Sequence, residues 1–339
     1  MISVIIPIYK TPLPLLSHCI DSILKQDESD FEVILIDDGS NQPELTAALK
    51  SYLSDERFTL LEHENKGVSY SRNCGIAAAR GEYITFVDAD DTLDPSFFSR
   101  ALHVLHETGA EAVIGGIYMH EDAQTKKCTI SSDKPLLFEG QSIEDVTSYM
   151  LSMCAVDGAK MLHGLRLRGP WGKLIRRDSM MDITFQTSMA VYEDTIFNVS
   201  VFRKLHKLAV DPALYYHYYI AEGSAMRQFR PNGLSEQETL ASELLHVIEL
   251  QPGLSSACGV FMLTGIKKLI RCTLYYPEYR AGDSAQKLRG FLDSEAIIRL
   301  LGAINPTHQK SLSLKDRVFL FLCKHSKHLL HLLVSSGVI

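Results

Sequence analysis

Two groups of carboxylates stand where apolar, strand-like runs of the sequence end. The first is Asp37-Asp38, and the second is Asp88-Ala89-Asp90-Asp91. In open α/β sheets, ligands bind beyond the carboxyl ends of the strands, so both groups are candidates for one binding site. Carboxylates at neighbouring strand ends repel one another unless water, a hydrogen-bond donor or a cation lies between them.

Asp88 and Asp90 have the residue types and the spacing of a metal site. An Asp-x-Asp in a tight turn can direct two carboxylates at one point, and Mg²⁺ and Mn²⁺ prefer oxygen ligands. The alternative is a solvated acidic turn in which Asp91 or Asp94 caps the following helix. The position after a buried strand, opposite a second acidic strand end, favours the metal site.

The other polar candidates each have a structural alternative. Asp37 and Asp38 could accept hydrogen bonds from a ribose or a base edge, but Asp-Gly-Ser is also an ordinary turn. Lys66 and Arg72 lie near a predicted helix N-terminus, which suits a diphosphate, but both could be solvated surface charges.

Glu193-Asp194 opens an apolar, helix-like run. Carboxylates in a first helical turn are stabilised by the helix dipole, which accounts for them without any catalytic role. The functional interpretation is that one of them is a general base.

These residues need a scaffold, and the first ~120 residues alternate strand-like and helix-like runs, as a mostly parallel α/β sheet does. The pattern predicts strands at 2–8, 31–36, 58–61, 83–87 and 112–119, and helices at 15–24, 44–53 and 68–79. From about residue 140 helices dominate by pattern, interrupted by a Gly/Pro-rich segment around Trp171 and an aromatic strand at 214–220. After about residue 230 the chain is predicted to be helical.

Composition excludes several classes of protein. The chain has 339 residues, 46% of them hydrophobic, and a formal net charge of −7, which argues against a general nucleic-acid binder. Seven cysteines without a Cys-x-x-Cys pair fit a reducing cytoplasm better than a disulfide framework or a zinc site. The N-terminus lacks the features of a signal peptide, and no uncharged apolar run of ~18 residues predicts a spanning helix.

Taken in order, the motifs resemble those of family 2 glycosyltransferases with the GT-A fold. The matching segments are Ser3 to Tyr9, Phe31 to Ser40, Glu64 to Gly67, Ser71 to Asn73, Gly81 to Ile84, Phe86 to Asp91, Trp171 to Leu174, Glu193 to Thr195, Tyr215-Tyr216 and Gly223-Ser224. The resemblance is close over residues 1–120, ordered but patchy to about 226, and stops there. It implies a Rossmann-like mixed, mostly parallel sheet flanked by helices, with a helical C-terminal extension.

The resemblance also implies a division of roles. A GT-A domain would span 1–230, with a nucleotide-sugar and metal half at 1–120 and an acceptor half at 121–230, followed by a helical region at 231–339. The implied site residues are Asp37, Asp38 and the Pro7–Tyr9 turn for the nucleotide sugar, Lys66 and Arg72 near its phosphates, Asp88 and Asp90 for Mn²⁺ or Mg²⁺, Asp194 as general base with Glu193 as runner-up, and Trp171 and Lys173 on the acceptor side.

Three positions depart from the family pattern. Ser71 replaces a small Ala, His217 replaces an aromatic residue, and Tyr219 stands where many relatives have a basic residue. These departures leave open whether this strand contacts the diphosphate and whether His217 reaches the metal site. The Gln-x-x-Arg-Trp signature of processive relatives is absent, so a membrane-embedded polymer synthase is not expected.

The predicted function is that of an inverting, non-processive glycosyltransferase. It would move a sugar from a nucleotide-diphosphate sugar, most often a UDP-sugar, to a hydroxyl of a growing or lipid-linked glycan. The alternative is a catalytically silent protein that binds nucleotide sugar or glycan. A dehydrogenase or nucleotidylyltransferase lacks support, because no Gly-x-Gly-x-x-Gly or P-loop pattern occurs.

The last part of the chain resembles a basic amphipathic helix, which predicts peripheral contact with the cytoplasmic membrane face. Packing on the protein's own core, or in a homo-oligomer, is the alternative. The pattern consists of Leu314, Val318, Phe321, Leu322, Leu329, Leu332 and Leu333, interspersed with Lys315, Arg317, Lys324, Lys327, His325, His328 and His331 and a single acid, Asp316.

Overall fold

The computed structural model describes residues 1–122, 124–220, 229–276 and 283–335. By Cα packing the chain divides into two units. The first consists of Met1–Ile143 and Met161–Ala221, and the second of Glu144–Lys160 and Glu222–Ile339. The segment at 144–160 therefore packs with the C-terminal residues, which the sequence pattern did not indicate. The functional division of the chain at residues 120 and 230 stays a prediction.

The first unit is built on one ten-stranded sheet within the described residues. Its strands are β1 Ile2–Ile8, β2 Phe31–Asp37, β3 Phe58–Glu62, β4 Tyr83–Phe86, β5 Thr92–Leu93, β6 Ala112–Glu121, β7 Gln124–Cys128, β8 Leu136–Glu139, β9 Lys173–Arg176 and β10 Lys207–Ile220. The strand order is β3-β2-β1-β4-β9-β6-β10-β5, with β7 on β6 and β8 on β10.

The long ladders are parallel and the short strands are antiparallel. Strands β1 to β4 pair in parallel, as do β6 and β10, whereas β5, β7, β8 and β9 pair antiparallel. Parallel strands are covered on both faces, which explains why β1 and β2 are apolar without alternation. The predicted α/β class with a mixed, mostly parallel sheet is confirmed.

Helices cover the sheet of the first unit and present apolar stripes to it. In α1, Leu16, Cys19, Ile20 and Ile23 are buried at helical spacing. The helices of the first unit are α1 Leu13–Leu24, α2 Pro43–Tyr52, α3 Val68–Ala78, α4 Phe97–Thr108 and α6 Glu193–Lys204, whereas most of α5 Gln141–Ser152 belongs to the second unit.

The described residues after 229 are helical, as predicted. The helices are α7 Gly233–Leu250, α8 Ser255–Leu269, α9 Ser284–Asp293, α10 Glu295–Gly302, α11 Pro306–Ser311, α12 Leu314–His325 and α13 Lys327–Ser335. The helical stretch Pro252–Leu274, which includes α8, is long and apolar enough to cross a membrane, but 78% of its most apolar window is buried inside the protein. A buried core helix can have the same length and apolar composition. Among the described residues, this is the one helical stretch that is long and apolar enough to span a membrane.

Candidate active site

The acidic turn after β4 is held by a tyrosine from β10. Tyr216 is fully buried, and its hydroxyl accepts a hydrogen bond from the Asp88 N–H at 3.1 Å. The same hydroxyl donates to Asp91 Oδ2 at 2.7 Å, while the Tyr219 N–H donates to Asp91 Oδ1 at 2.9 Å. The buried Asp91 thus anchors the turn, whereas Asp88 is half-buried and Asp90 is exposed.

Negative charge accumulates at this turn. Burial, and then the nearby Asp88, raises the pKa of Asp91 to about 9. The pKa of Asp90 is raised as well. The surrounding protein removes part of the water around its carboxylate, and the nearby Asp88 adds to the effect. The raised pKa values of Asp90 and Asp91 mean that burial and the neighbouring carboxylate disfavour negative charge on these two groups, a cost that a bound cation would relieve.

Asp88 and Asp90 fit a hard divalent cation. Such ions take carboxylate oxygens and commonly keep places for water and phosphate oxygens, so two protein ligands suffice when the substrate supplies others. Within the described ranges, no group of three or more His, Cys, Asp or Glu side chains is arranged to hold a metal. The donor set therefore suits a shared protein and substrate site better than an all-protein cage.

Arg72, on α3, joins this turn to the start of α6. Its guanidinium contacts Asp194 Oδ1 at 2.6 Å, Asp88 Oδ1 at 3.0 Å and Glu193 Oε1 at 3.6 Å. The arginine is 3% exposed, and its guanidinium lies 5.2 Å from the centre of the Phe185 ring. Burial opposes its charge, but the three carboxylates outweigh burial and raise the pKa of Arg72, so the guanidinium stays charged.

The start of α6 places two carboxylates at this arginine. Tyr192 has φ +68°, so the chain turns sharply before Glu193 and Asp194 in the first helical turn. Burial raises the pKa of Asp194 to about 8, with Arg72 opposing the rise and Glu193 adding to it. The Asp194 side chain keeps 28% exposure, so a substrate can reach it. An accessible carboxyl with a raised pKa suits a general base.

The second acidic strand end is used for scaffolding. Asp38 is buried, and its carboxylate accepts hydrogen bonds from the Lys66 and Gly67 N–H groups at 2.7 and 2.9 Å and from the Asn65 amide. Asp37 accepts from the Ser40 N–H at 2.9 Å. Both aspartates therefore shape loops at the sheet edge, and a direct contact with a nucleoside stays a prediction for them.

Gly39 allows these two loops to meet. It has φ +71°, and a Cβ at this position would lie 2.6 Å from the Asn65 nitrogen. Only glycine combines this backbone conformation with so close an approach.

The exposed candidates at this edge are the β1 end and one lysine. Pro7 is partly buried, Tyr9 is 49% exposed, and the exposed Lys66 side chain lies 4.6 Å from the Tyr70 ring centre. These side chains are free to meet a nucleotide. Arg72 was expected near the phosphates too; its guanidinium is paired with the carboxylates of Asp88 and Asp194, and a contact with phosphates stays a prediction.

Trp171 lies next to the tyrosine that holds the acidic turn. Its ring stacks on Tyr216 at 5.2 Å and on Tyr218 at 5.3 Å, and Gly169 leaves the space that the indole fills. Because Trp171 is only partly buried, part of its ring remains available to a ligand.

Lys173 is buried and holds the loop before Trp171 by hydrogen bonds to its backbone. It is 1% exposed, and its Nζ donates to the carbonyls of Leu167 at 3.0 Å and of Gly169. Burial lowers the pKa of Lys173 to about 7, against the effect of Asp194. The expected acceptor-side position of Lys173 is therefore corrected: an ammonium turned toward buried carbonyls does not face an acceptor.

His217 and Tyr216 point to opposite faces of β10, as neighbours in a strand do. His217 Nδ1 lies 3.0 Å from His120 Nε2, and its ring stacks on Tyr118 at 4.5 Å. Burial, and then His120, lowers the pKa of His217. Its side-chain partners in the described structure thus lie on β6 and not at Asp88.

Sequence reasoning missed the roles of Tyr216 and Asp91. Tyr215-Tyr216 entered only as a family match, and Asp91 only as part of the acidic, family-matching segment and as a possible helix cap. The period of two in a strand could have placed Tyr216 and Tyr218 on one face, but no local signal links Tyr216 to a turn 125 residues earlier. The matched Gly223-Ser224 pair lies outside the described residues.

The fold and the site define a GT-A-type domain. Residues 3–155 match the family "Glycosyl transferase family 2". Residues 3–155 therefore form a family 2 glycosyltransferase domain, as the motifs predicted.

Known relatives agree with this assignment. The chain is 29% identical over 239 residues to an uncharacterized glycosyltransferase, EpsJ, of Bacillus subtilis, which covers 70% of this chain and 63% of that protein. It is 39% identical over 126 residues to glycosyltransferase GlyG of Streptococcus pneumoniae, over 36% of this chain and 41% of that protein. Both matches therefore span less than two thirds of the relative.

A solved structure shares the fold. The Staphylococcus aureus TarS fragment 1–349, in complex with UDP-GlcNAc, superposes with a TM-score of 0.71 at 16% identity. The match covers 99% of this chain and 90% of that one. At this level of identity, the likeness concerns the fold alone.

Proposed function

We propose that the protein is an inverting, metal-dependent glycosyltransferase that uses a nucleotide-diphosphate sugar. One observation carries the proposal: Arg72 forms ion pairs with both Asp88 of the acidic turn and Asp194 of α6. Asp194 lies 122 residues after Arg72 in the sequence. A cation-binding carboxylate and a titratable carboxylate of raised pKa thereby flank one point. Such a pair suits displacement at an anomeric carbon, because the cation would act on the leaving group while the base acts on the acceptor hydroxyl.

The donor we propose is a UDP-sugar. The TarS fragment, which shares this fold, was solved with UDP-GlcNAc, and this supports a nucleotide sugar of the same type. Pro7 and Tyr9 would border the nucleoside, with Asp37 and Asp38 shaping the loops around it. Lys66 would lie near the phosphates, and Asp88 and Asp90 would hold Mn²⁺ or Mg²⁺.

The chemistry we propose is a single displacement. When bound, the cation would supply Lewis-acid neutralisation of charge on the leaving nucleotide. Asp194 accepts the proton of the acceptor hydroxyl as that oxygen attacks the anomeric carbon, and Arg72 holds the Asp194 carboxylate in place. One base without a covalent intermediate inverts the anomeric centre, so an α-linked donor gives a β-linked product.

The acceptor we propose is a hydroxyl of a growing glycan. Trp171 offers an apolar ring face beside the acidic turn, and such faces can pack on the C–H faces of sugars. We place the reaction on the cytoplasmic side, because the seven cysteines are scattered along the sequence without a Cys-x-x-Cys pair, as suits a reducing compartment.

A donor screen tests this function. The purified protein is incubated with a panel of nucleotide sugars and glycan acceptors, and released nucleotide is measured while donor binding is followed by calorimetry. We expect release with at least one UDP-sugar, and none from Asp90→Ala prepared in the same way. Donor binding without release in any combination would identify a silent binding protein and end the enzymatic proposal.

A further inference from the structure

Helix α12 carries apolar side chains on two faces. Phe319, Leu320 and Leu322 are buried within the second unit. Leu314, Val318 and Phe321 are exposed, by 70%, 46% and 56%. The apolar residues of α12 that the sequence placed on one face are thus in two environments. Leu322 packs into the unit, whereas Leu314, Val318 and Phe321 face solvent.

The exposed side chains form one stripe. Spacings of four and three residues place Leu314, Val318 and Phe321 on a common face of the helix. Leu329, on the following helix α13, is also apolar and 47% exposed. Scattered exposed leucines need no explanation, but a contiguous stripe of large apolar residues marks an interaction surface.

Cations border this stripe. Lys315, Arg317 and Lys324 are exposed and form no ion pair within the part of the chain that the structure describes. Exposed His325 contacts Phe321, with ring centres 5.0 Å apart, and His328 is exposed as well.

The acid in the same region is neutralised from within the unit. Asp316 is the single carboxylate of α12 and α13, and it pairs with Lys267 of α8 and accepts a hydrogen bond from Ser313. Lys327, by contrast, pairs with Asp293 and is therefore not counted among the unpaired cations. The free charges beside the stripe are thus all positive, in a chain whose net charge is −7.

We propose that this stripe, Leu314, Val318, Phe321 and Leu329 with Lys315, Arg317 and Lys324, docks on an anionic lipid surface. The apolar side chains enter the interface between headgroups and acyl chains while the cations meet the phosphates. Each such cation strengthens binding about fivefold, so the three together contribute roughly a hundredfold. Attraction of this size gives reversible docking, and it vanishes at high salt because the lipid charge is screened.

Vesicle co-sedimentation of the full chain tests the docking. Vesicles of phosphatidylglycerol mixed with phosphatidylcholine are compared with vesicles of phosphatidylcholine alone. The triple variant Lys315→Gln, Arg317→Gln, Lys324→Gln should lose roughly a hundredfold in affinity for the anionic vesicles. The matched control Lys25→Gln, Lys50→Gln, Lys126→Gln removes three exposed lysines from the first unit and should stay within about twofold of wild type.

A second pair of measurements separates lipid docking from a structural role of the stripe and from dimer formation. Val318→Ser with Phe321→Ser should weaken vesicle binding without lowering the melting temperature, because both side chains are exposed. Asp90→Ala should bind vesicles like wild type, so failure of the enzymatic proposal leaves this one standing. Equal vesicle binding by the two triple variants would overturn the docking proposal. A wild-type protein that dimerises, does not bind vesicles and becomes monomeric on Val318→Ser with Phe321→Ser would overturn it too.

Discussion

Tyr216→Phe removes one hydroxyl from the centre of the proposed site. That hydroxyl accepts from the Asp88 N–H at 3.1 Å and donates to Asp91 at 2.7 Å, while the ring stacks on Trp171. Phenylalanine keeps the ring and its stacking but leaves the N–H and the buried carboxyl without this partner. Leaving such groups unsatisfied costs about 2–4 kcal/mol in the free energy of unfolding.

The same change should loosen the turn that carries Asp88 and Asp90. A displacement of about 1 Å in a reacting geometry can cost on the order of 10²-fold in rate. We therefore expect kcat to fall by about 10- to 100-fold and the Mn²⁺ concentration for half-maximal activity to rise. Nucleotide-release kinetics over a metal titration measure both quantities, and calorimetry with Mn²⁺ and UDP measures binding without turnover.

The neighbouring tyrosine supplies a matched control. Tyr215 is also fully buried, and its hydroxyl donates to Asp211 at 2.6 Å, a carboxylate that Arg100 continues to hold in the variant. Tyr215→Phe should therefore cost stability of the order of 1–2 kcal/mol without changing the metal requirement. Equal kinetic effects of the two substitutions, or wild-type metal dependence of Tyr216→Phe, would refute the positioning role.

Two further substitutions probe the remaining parts of the site. Asp90→Ala removes an exposed carboxylate, so the fold should persist while transfer nearly disappears; full activity of this variant in excess chelator would contradict a metal role. Trp171→Phe shrinks the ring beside Tyr216 and should raise the acceptor KM more than the donor KM. A lower melting temperature without that kinetic bias would instead assign Trp171 to structure alone.

The parallel half of the sheet could be predicted because strands that are buried on both faces consist of apolar residues without alternation. Strands β1 and β2 are continuous apolar runs, and each precedes a helix of clear periodicity. Strand β9 gave no such signal, because it has only four residues, Lys173–Arg176, and follows a glycine. Its first residue is a lysine whose ammonium is buried and donates to a backbone carbonyl. Strand β7 is largely polar and exposed, because it pairs on one side of β6 at the margin of the sheet.

The site was predicted in its parts but not in its connections. Asp88, Asp90 and Asp194 were recognised by residue type and position, yet the contacts of Arg72 depend on helices far apart in sequence. Whether a polar residue serves a ligand or the scaffold is decided by its neighbours in space. Asp38 and Lys173 show this, because each is engaged by backbone groups that no spacing rule identifies.

The role of Asp194 is the central claim, and the pH dependence of transfer by paired variants tests it most directly. Because burial raises the Asp194 pKa, wild-type kcat should rise with pH across the neutral and mildly alkaline range as the carboxyl ionises. Asp194→Asn should lower kcat by about 10²-fold or more and abolish that rise, with donor affinity unchanged. Glu193→Gln should keep the rise. Wild-type rate and pH dependence in Asp194→Asn would contradict the account.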